Sequence, residues 1–108
     1  MKYEPWENMR TIAIDFDGVI HKYSKGWQNG EIYDKPVEGA INTIKQLQLK
    51  YKIVIFTVRD NFDDIRKWLT LNGIENLPEV TNKKPVAIAY IDDRGIRFTN
   101  WNDIINYF

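Results

Sequence analysis

The residues of this chain best suited to chemistry are acids, and each directly follows an apolar run. Asp15 and Asp17 stand two residues apart in Asp15-Phe16-Asp17-Gly18, and Asp92 and Asp93 are adjacent after VAIAYI. Thr57 closes a third apolar run, KIVIF. In an extended chain, residues two apart point the same way. Asp15 and Asp17 therefore start on one face, with Phe16 turned to the core, and Gly18 lets the chain bend sharply next to a ligand. A single Asp at a strand end is commonly a turn former or a helix cap. Acids and a hydroxyl at the ends of three separate runs are much harder to explain as capping. Carboxylates gathered at one place repel one another unless a cation joins them. Oxygen ligands that leave room for water and phosphate suit Mg²⁺. The chain has no cysteine and a single histidine, His21. That argues against a dedicated zinc site and excludes disulfide and thiolate chemistry.

For these residues to meet, the runs that carry them must lie side by side. Residues 11–16 (TIAIDF), 52–57 (KIVIFT) and 86–91 (VAIAYI) are rich in Ile and Val. Runs that are apolar on both faces suit parallel strands covered on both sides. A helix is expected from near Pro36, with Val37, Ala40, Ile41, Ile44, Leu47 and Tyr51 on one face. A second is expected from an N-cap at Asp60, through Ile65, Trp68 and Leu69, to Asn72-Gly73. Residues 101–107 suit a short third helix. Strands alternating with helices imply right-handed crossovers and a layered α/β sheet. In such sheets ligands bind at the carboxyl ends of the strands, where Asp15, Asp17, Thr57, Asp92 and Asp93 all fall. Two segments break the alternation. Residues 21–35 contain Asn29-Gly30, a hairpin turn signal. Residues 75–84 read as a loop with a short strand over 79–81.

The 108 residues, 44% of them hydrophobic, suit one domain spanning 1–108. The formal net charge is zero, so no general nucleic-acid-binding surface is expected. Residues 1–10 carry Glu4 and Glu7 and lack an apolar core, unlike a signal peptide. No apolar run approaches the length of a membrane span. A soluble cytoplasmic protein is expected.

The Asp15-x-Asp17-Gly18 segment after an apolar strand resembles motif one of the haloacid dehalogenase-like (HAD) superfamily. Thr57 after KIVIF resembles its motif two, Lys84 in TNKKP its motif three, and Asp92-Asp93 after IAYI its motif four. The order and approximate spacing agree across nearly the whole chain, from about residue 10 to residue 105. The resemblance implies a Rossmann-like three-layer fold with a mainly parallel sheet. It leaves no room for a separate cap domain, only a short β-hairpin flap over 21–35. It also implies a Mg²⁺-dependent phosphatase acting on a phosphomonoester through a phosphoaspartate at Asp15. Asp17 would be the general acid and then the base. Thr57 and Lys84 would hold the phosphoryl oxygens, with Lys83 the alternative to Lys84. The Asp15 carboxylate, the Asp17 carbonyl oxygen and Asp93, or else Asp92, would be the metal ligands.

Other residues admit two readings. Arg59 could reach a substrate phosphate, although an arginine in that position is more often a surface or helix-start residue. His21 could touch a leaving group, although a flap or hinge residue is the commoner case. Tyr23, Trp27 and Tyr33 could stack on a base or a sugar, and packing of the hairpin explains them equally well. Arg94 and Arg97 suit solvated or paired positions, and Trp6, Trp68 and Trp101 suit packing. A receiver-like module is disfavoured because its adjacent acidic pair comes early in the chain, whereas here the pair comes last. A catalytically idle binding protein is disfavoured because every catalytic position is filled. A phosphotransferase would differ only in the acceptor that replaces water. Sugar phosphates, nucleotides and polynucleotide ends all suit such a site, and a second copy of the chain could cover it.

Overall fold

The computed structural model describes residues 10–92 and 96–108. Along the chain it contains β1 (Thr11–Asp15), α1 (Ala40–Leu47), β2 (Lys52–Phe56), α2 (Phe62–Leu71), β3 (Glu79–Thr81), β4 (Ala89–Asp92), β5 (Ile96–Arg97) and α3 (Trp101–Ile105). The strands form one sheet in the order β3-β2-β1-β4-β5, and every pairing is parallel. This is a Rossmann-like α/β fold. Ile12, Ile14, Ile53, Ile55 and Ile91 are buried, and so are Ala13 and Val54, which alternate with them. Both faces of the central strands are therefore covered, as a parallel sheet requires.

The helices bury most of the apolar residues that their spacing implies, although Val37 and Tyr51, expected on the face of the first helix, lie outside it and Ile41 is half-buried. α1 buries Ala40, Thr43, Ile44 and Leu47. α2 buries Ile65, Trp68 and Leu69. α3 buries Trp101 and Ile104 and is capped by the Asn100 side chain, which accepts from the Asp103 N–H. Gly73, at φ 101°, follows the C-cap Asn72 of α2.

Several boundaries differ from the sequence expectation. α1 starts at Ala40 rather than near Pro36, because the backbone of residues 36–37 is otherwise engaged. Pro36 bridges His21, and the Val37 N–H donates to the Ile20 carbonyl. α2 is capped at Asn61 rather than Asp60, and the Asn61 side chain makes no capping bond. Asp63 and Asp64 in its first turn complement the helix dipole instead. β4 starts at Ala89, which pairs with Ile12, and just before it the Ile88 N–H donates to the carbonyl of Thr11, the first residue of β1. Val86 and Ile88 are left exposed.

The expected hairpin does not form as a β-ladder. Residues 22–35 are a loop of turns with no strand. The turn itself is as expected: Asn29 and Gly30 have φ of 52° and 85°, and the Glu31 N–H donates to the Gln28 carbonyl. The flanking backbone is satisfied by side chains rather than by a partner strand. The Tyr33 hydroxyl accepts from the Lys25 N–H and donates to the Gly26 carbonyl. The Asp34 carboxylate accepts from both the N–H and the hydroxyl of Ser24. Between the two arms of the loop, backbone meets backbone at the base, where the Lys22 N–H donates to the Lys35 carbonyl beside the His21–Pro36 bridge.

Candidate active site

The strand order fixes where a ligand would sit. From β1 the chain proceeds to β2 and β3 on one side, then crosses to β4 on the other. The point between β1 and β4 is a topological switch, where open α/β sheets bind ligands beyond the carboxyl ends of the strands. Asp15 and Asp92 end these two strands. Ile14 registers with Ile91, so the two acids follow one residue further on in adjacent strands. Asp15 also registers with Phe56, the last residue of β2, and Thr57 comes next. Three neighbouring strands thus carry a carboxylate, a hydroxyl and a carboxylate to one edge. Asp93 lies outside the described residues.

After β1 the chain folds tightly back. The Phe16 carbonyl accepts from the N–H groups of Val19, Ile20 and His21, and the Gly18 N–H donates to the His21 carbonyl at 2.7 Å. Gly18 has φ of 83°, which an L side chain adopts only with strain. Phe16 is buried. The turn brings His21 onto Asp17, with Nδ1 2.9 Å from Oδ1.

Arg59 completes the arrangement. Its side chain is wholly buried. Nε donates to Asp17 Oδ2 at 2.7 Å and the NH2 nitrogen to Oδ1 at 3.1 Å, a bidentate pair. Its NH1 nitrogen donates to the Gly30 carbonyl at 2.7 Å. Its backbone N–H donates to Thr57 Oγ1. The guanidinium carbon lies 5.0 Å from the centre of the Trp27 ring and 5.9 Å from that of Tyr23, within cation–π range. Arg59 is therefore neither a surface residue nor a simple helix starter. It clamps Asp17 to the flap, and the Asn61 amide donates to the same Gly30 carbonyl.

His21, expected as a flap or hinge residue, is wholly buried at the base of the loop. Tyr23 and Tyr33 pack around it. Tyr23 has φ of 59°, a bulky residue in the left-handed region at a cost of about 1–2 kcal/mol. Hydrogen bonds from the Ser24 side chain and from the Ser24 and Lys35 backbone push the Asp34 carboxyl well below the ordinary carboxylate range.

Lys84 is exposed, and its ammonium stands 4.6 Å from the centre of the Tyr90 ring. Lys83 is exposed as well, and its backbone N–H donates to Thr81 Oγ1. The structure thus brings Asp15, Thr57 and Asp92 to one edge and ties Asp17 to Arg59 and His21. It leaves the lysines at the surface.

The Asp17 carboxylate is committed to Arg59 and His21, so it is not itself a metal ligand in this arrangement. Its carbonyl accepts none of the backbone hydrogen bonds among the described residues. Among those residues, no group of three or more acid, His or Cys side chains is placed to hold a metal ion. The candidate donors, the Asp15 and Asp92 carboxylates and the Asp17 carbonyl, are all oxygens and few in number, the ligand chemistry that suits a hydrated Mg²⁺. The residues present fit that ion.

The sequence carried two signals for the Asp17 clamp. Arg59 is two residues beyond Thr57 and His21 is four beyond Asp17. Alternation explains the first only if the chain stays extended past β2, and the second needs the Gly18 turn. No pattern marks Asp34, Asn61 or the Gly30 carbonyl, because their parts are played by backbone groups or by a side chain reaching a distant loop.

No family model matches the chain, and no curated protein matches it. A solved structure of a conserved protein from Bacteroides thetaiotaomicron is similar, with a TM-score of 0.69 and 28% sequence identity over 90% of this chain and 87% of that one. No helix among the described residues is long and apolar enough to cross a membrane.

Proposed function

We propose that this chain is a Mg²⁺-dependent phosphohydrolase of the HAD-like kind, acting on a phosphomonoester through Asp15. The observation that carries the proposal is the meeting of Asp15, Thr57 and Asp92 at the ends of adjacent parallel strands beside the switch point. An Asp15 carboxylate oxygen forms a bond to phosphorus as the bond to the leaving oxygen breaks. Asp17 delivers a proton to that oxygen. Water then attacks phosphorus, Asp17 takes up its proton, and inorganic phosphate leaves as the Asp15 carboxylate is restored. Thr57 holds a non-bridging oxygen, and Lys84 does the same once it swings from Tyr90. Asp15, the Asp17 carbonyl and Asp92, with Asp93 beside it in sequence, would hold Mg²⁺. When bound, the ion would offset repulsion between the anionic nucleophile and the phosphate.

We place the leaving group beside the flap, on the strength of its Gly30 link to Arg59 and Asp17. An open cavity of about 310 Å³ is lined by Trp27, Asn29, Glu31, Asp60, Asn61 and Asp64. It lies against the same Gly30 whose carbonyl receives Arg59. Its three carboxylates disfavour further phosphates, so small monoesters suit it better than polynucleotide ends. The absence of cysteine suits the reducing cytoplasm.

The test is phosphate release across a panel of phosphoesters. Release is expected with Mg²⁺, to cease with chelator, and to be faster on small monoesters than on an oligonucleotide phosphate. No release from any ester, or full release from metal-free protein, would refute the proposal.

A further inference from the structure

Asp17 is held from two sides, and both holders also hold the flap. Arg59 joins it to Gly30. His21 joins it to Asp34, whose backbone N–H lies 3.0 Å from Nε2. We infer that His21 is a positioning residue, a neutral imidazole protonated on Nδ1 that fixes Asp17 so that Oδ2 alone exchanges protons with the leaving group and water. The chemical part rests on the proposed function. The hydrogen-bond arrangement stands on geometry alone.

A backbone N–H can only donate. Nε2 is therefore the unprotonated acceptor, and the ring proton sits on Nδ1, where it donates to Asp17 Oδ1. A group bonded to the far nitrogen thus sets the tautomer at the near one. The ring has no freedom to turn. It is wholly buried, stacked on Phe16 with centroids 5.4 Å apart, and met edge-on by Trp68 and Tyr33.

Lone-pair accounting then separates the two oxygens of Asp17. A carboxylate oxygen offers about two acceptor sites. Oδ1 receives His21 Nδ1 and an Arg59 NH2 proton, so it is filled. Oδ2 receives only Arg59 Nε among the described residues, which leaves a site for a proton in transit. The Asp34 amide is itself aimed by its surroundings. Its carboxylate is held by Ser24 and Lys35, and its carbonyl accepts from Trp68 Nε1. The posture of the flap and the orientation of Asp17 are therefore set together.

Because His21 is the single histidine, its imidazole nitrogens can be read without assignment ambiguity. Long-range ¹H–¹⁵N correlation on the intact protein should show Nδ1 protonated and Nε2 bare. A predominant Nε2–H tautomer would overturn the inference. On the best phosphoester, His21→Phe keeps a ring but no donor and should lower kcat about 100-fold, the scale of a misplaced catalytic group, with KM little changed. His21→Asn keeps an N–H near the Nδ1 position and should recover most of that loss. A Phe variant with the parental kcat, or an Asn variant no better than Phe, would also overturn the inference. If neither variant folds, the tautomer of the parent decides. If the parent turns over no phosphoester, the functional proposal falls, and the tautomer still shows whether His21 holds Asp17.

Discussion

The strand edge and the flap meet at one site and are built by opposite means. Asp15, Thr57 and Asp92 are placed by the backbone ladder, one residue past a parallel register that buried Ile and Val fix. The flap has no ladder. It is placed by Tyr33, Asp34, Arg59 and Asn61 reaching backbone groups. A residue set by a ladder can be changed without moving its neighbours. A residue in a side-chain network takes its partners with it. The strand edge should therefore separate chemistry from stability, and the flap should couple them.

The sharpest form of that contrast is Asp15→Asn. The change keeps the size of the side chain and leaves the β1 register untouched. We expect a loss of phosphate release of roughly 10³-fold or more, with stability altered by no more than about 1 kcal/mol. Parallel measurement of turnover and of the urea midpoint checks both halves. Parental turnover in a folded variant would remove Asp15 from the role of nucleophile.

Arg59→Ala should behave in the opposite way. It leaves Asp17, only 16% exposed, without its charged partner and removes the Arg59 tie to Gly30. Breaking a buried pair from one side costs about 3–5 kcal/mol, and turnover should fall with stability. Arg59→Lys keeps the charge but not the bidentate fork, so it should recover only part of both. A urea midpoint for Arg59→Ala close to the parent's would mean that the clamp is not what holds the flap.

The same contrast explains what the sequence revealed. Apolar runs announce a ladder, and residues closing such runs are readable as edge residues, so the positions of Asp15, Thr57 and Asp92 at the strand ends are legible in the sequence. The Asn29-Gly30 turn was legible for the same local reason. The strands expected on either side of it were not borne out, because Tyr33 and Asp34 satisfy the backbone there and no pattern of side-chain types encodes that choice. Arg59 was visible as a candidate but not as a buried clamp. Its burial depends on Trp27, Tyr23 and Gly30, more than twenty residues away in sequence.

The smallest expected effect lies at the outer end of the flap network, at Asp34. Asp34 is half-buried, but its bonds to Ser24 face solvent, so they are screened and count for little in global stability. They still leave a signature in pH dependence. Folding lowers the Asp34 carboxyl below its ordinary value, so the unfolded chain binds that proton more readily than the folded one. Its contribution is therefore present above the ordinary aspartate value of about 3.9 and is lost as pH falls toward the lower folded value. Asp34→Asn should remove that acid-side slope while leaving the difference between variant and parent constant from pH 6 to 8, an interval chosen well above the ordinary aspartate range. Urea midpoints of both proteins across the acid and neutral ranges test this. A difference that persists unchanged into strong acid would show that the Asp34 side chain does not hold the flap. The backbone N–H of Asp34, which serves His21, survives the substitution, so turnover at neutral pH should fall far less than in His21→Phe. A loss as large as that of His21→Phe would mean that the carboxylate, and not the amide, carries the link between flap and Asp17.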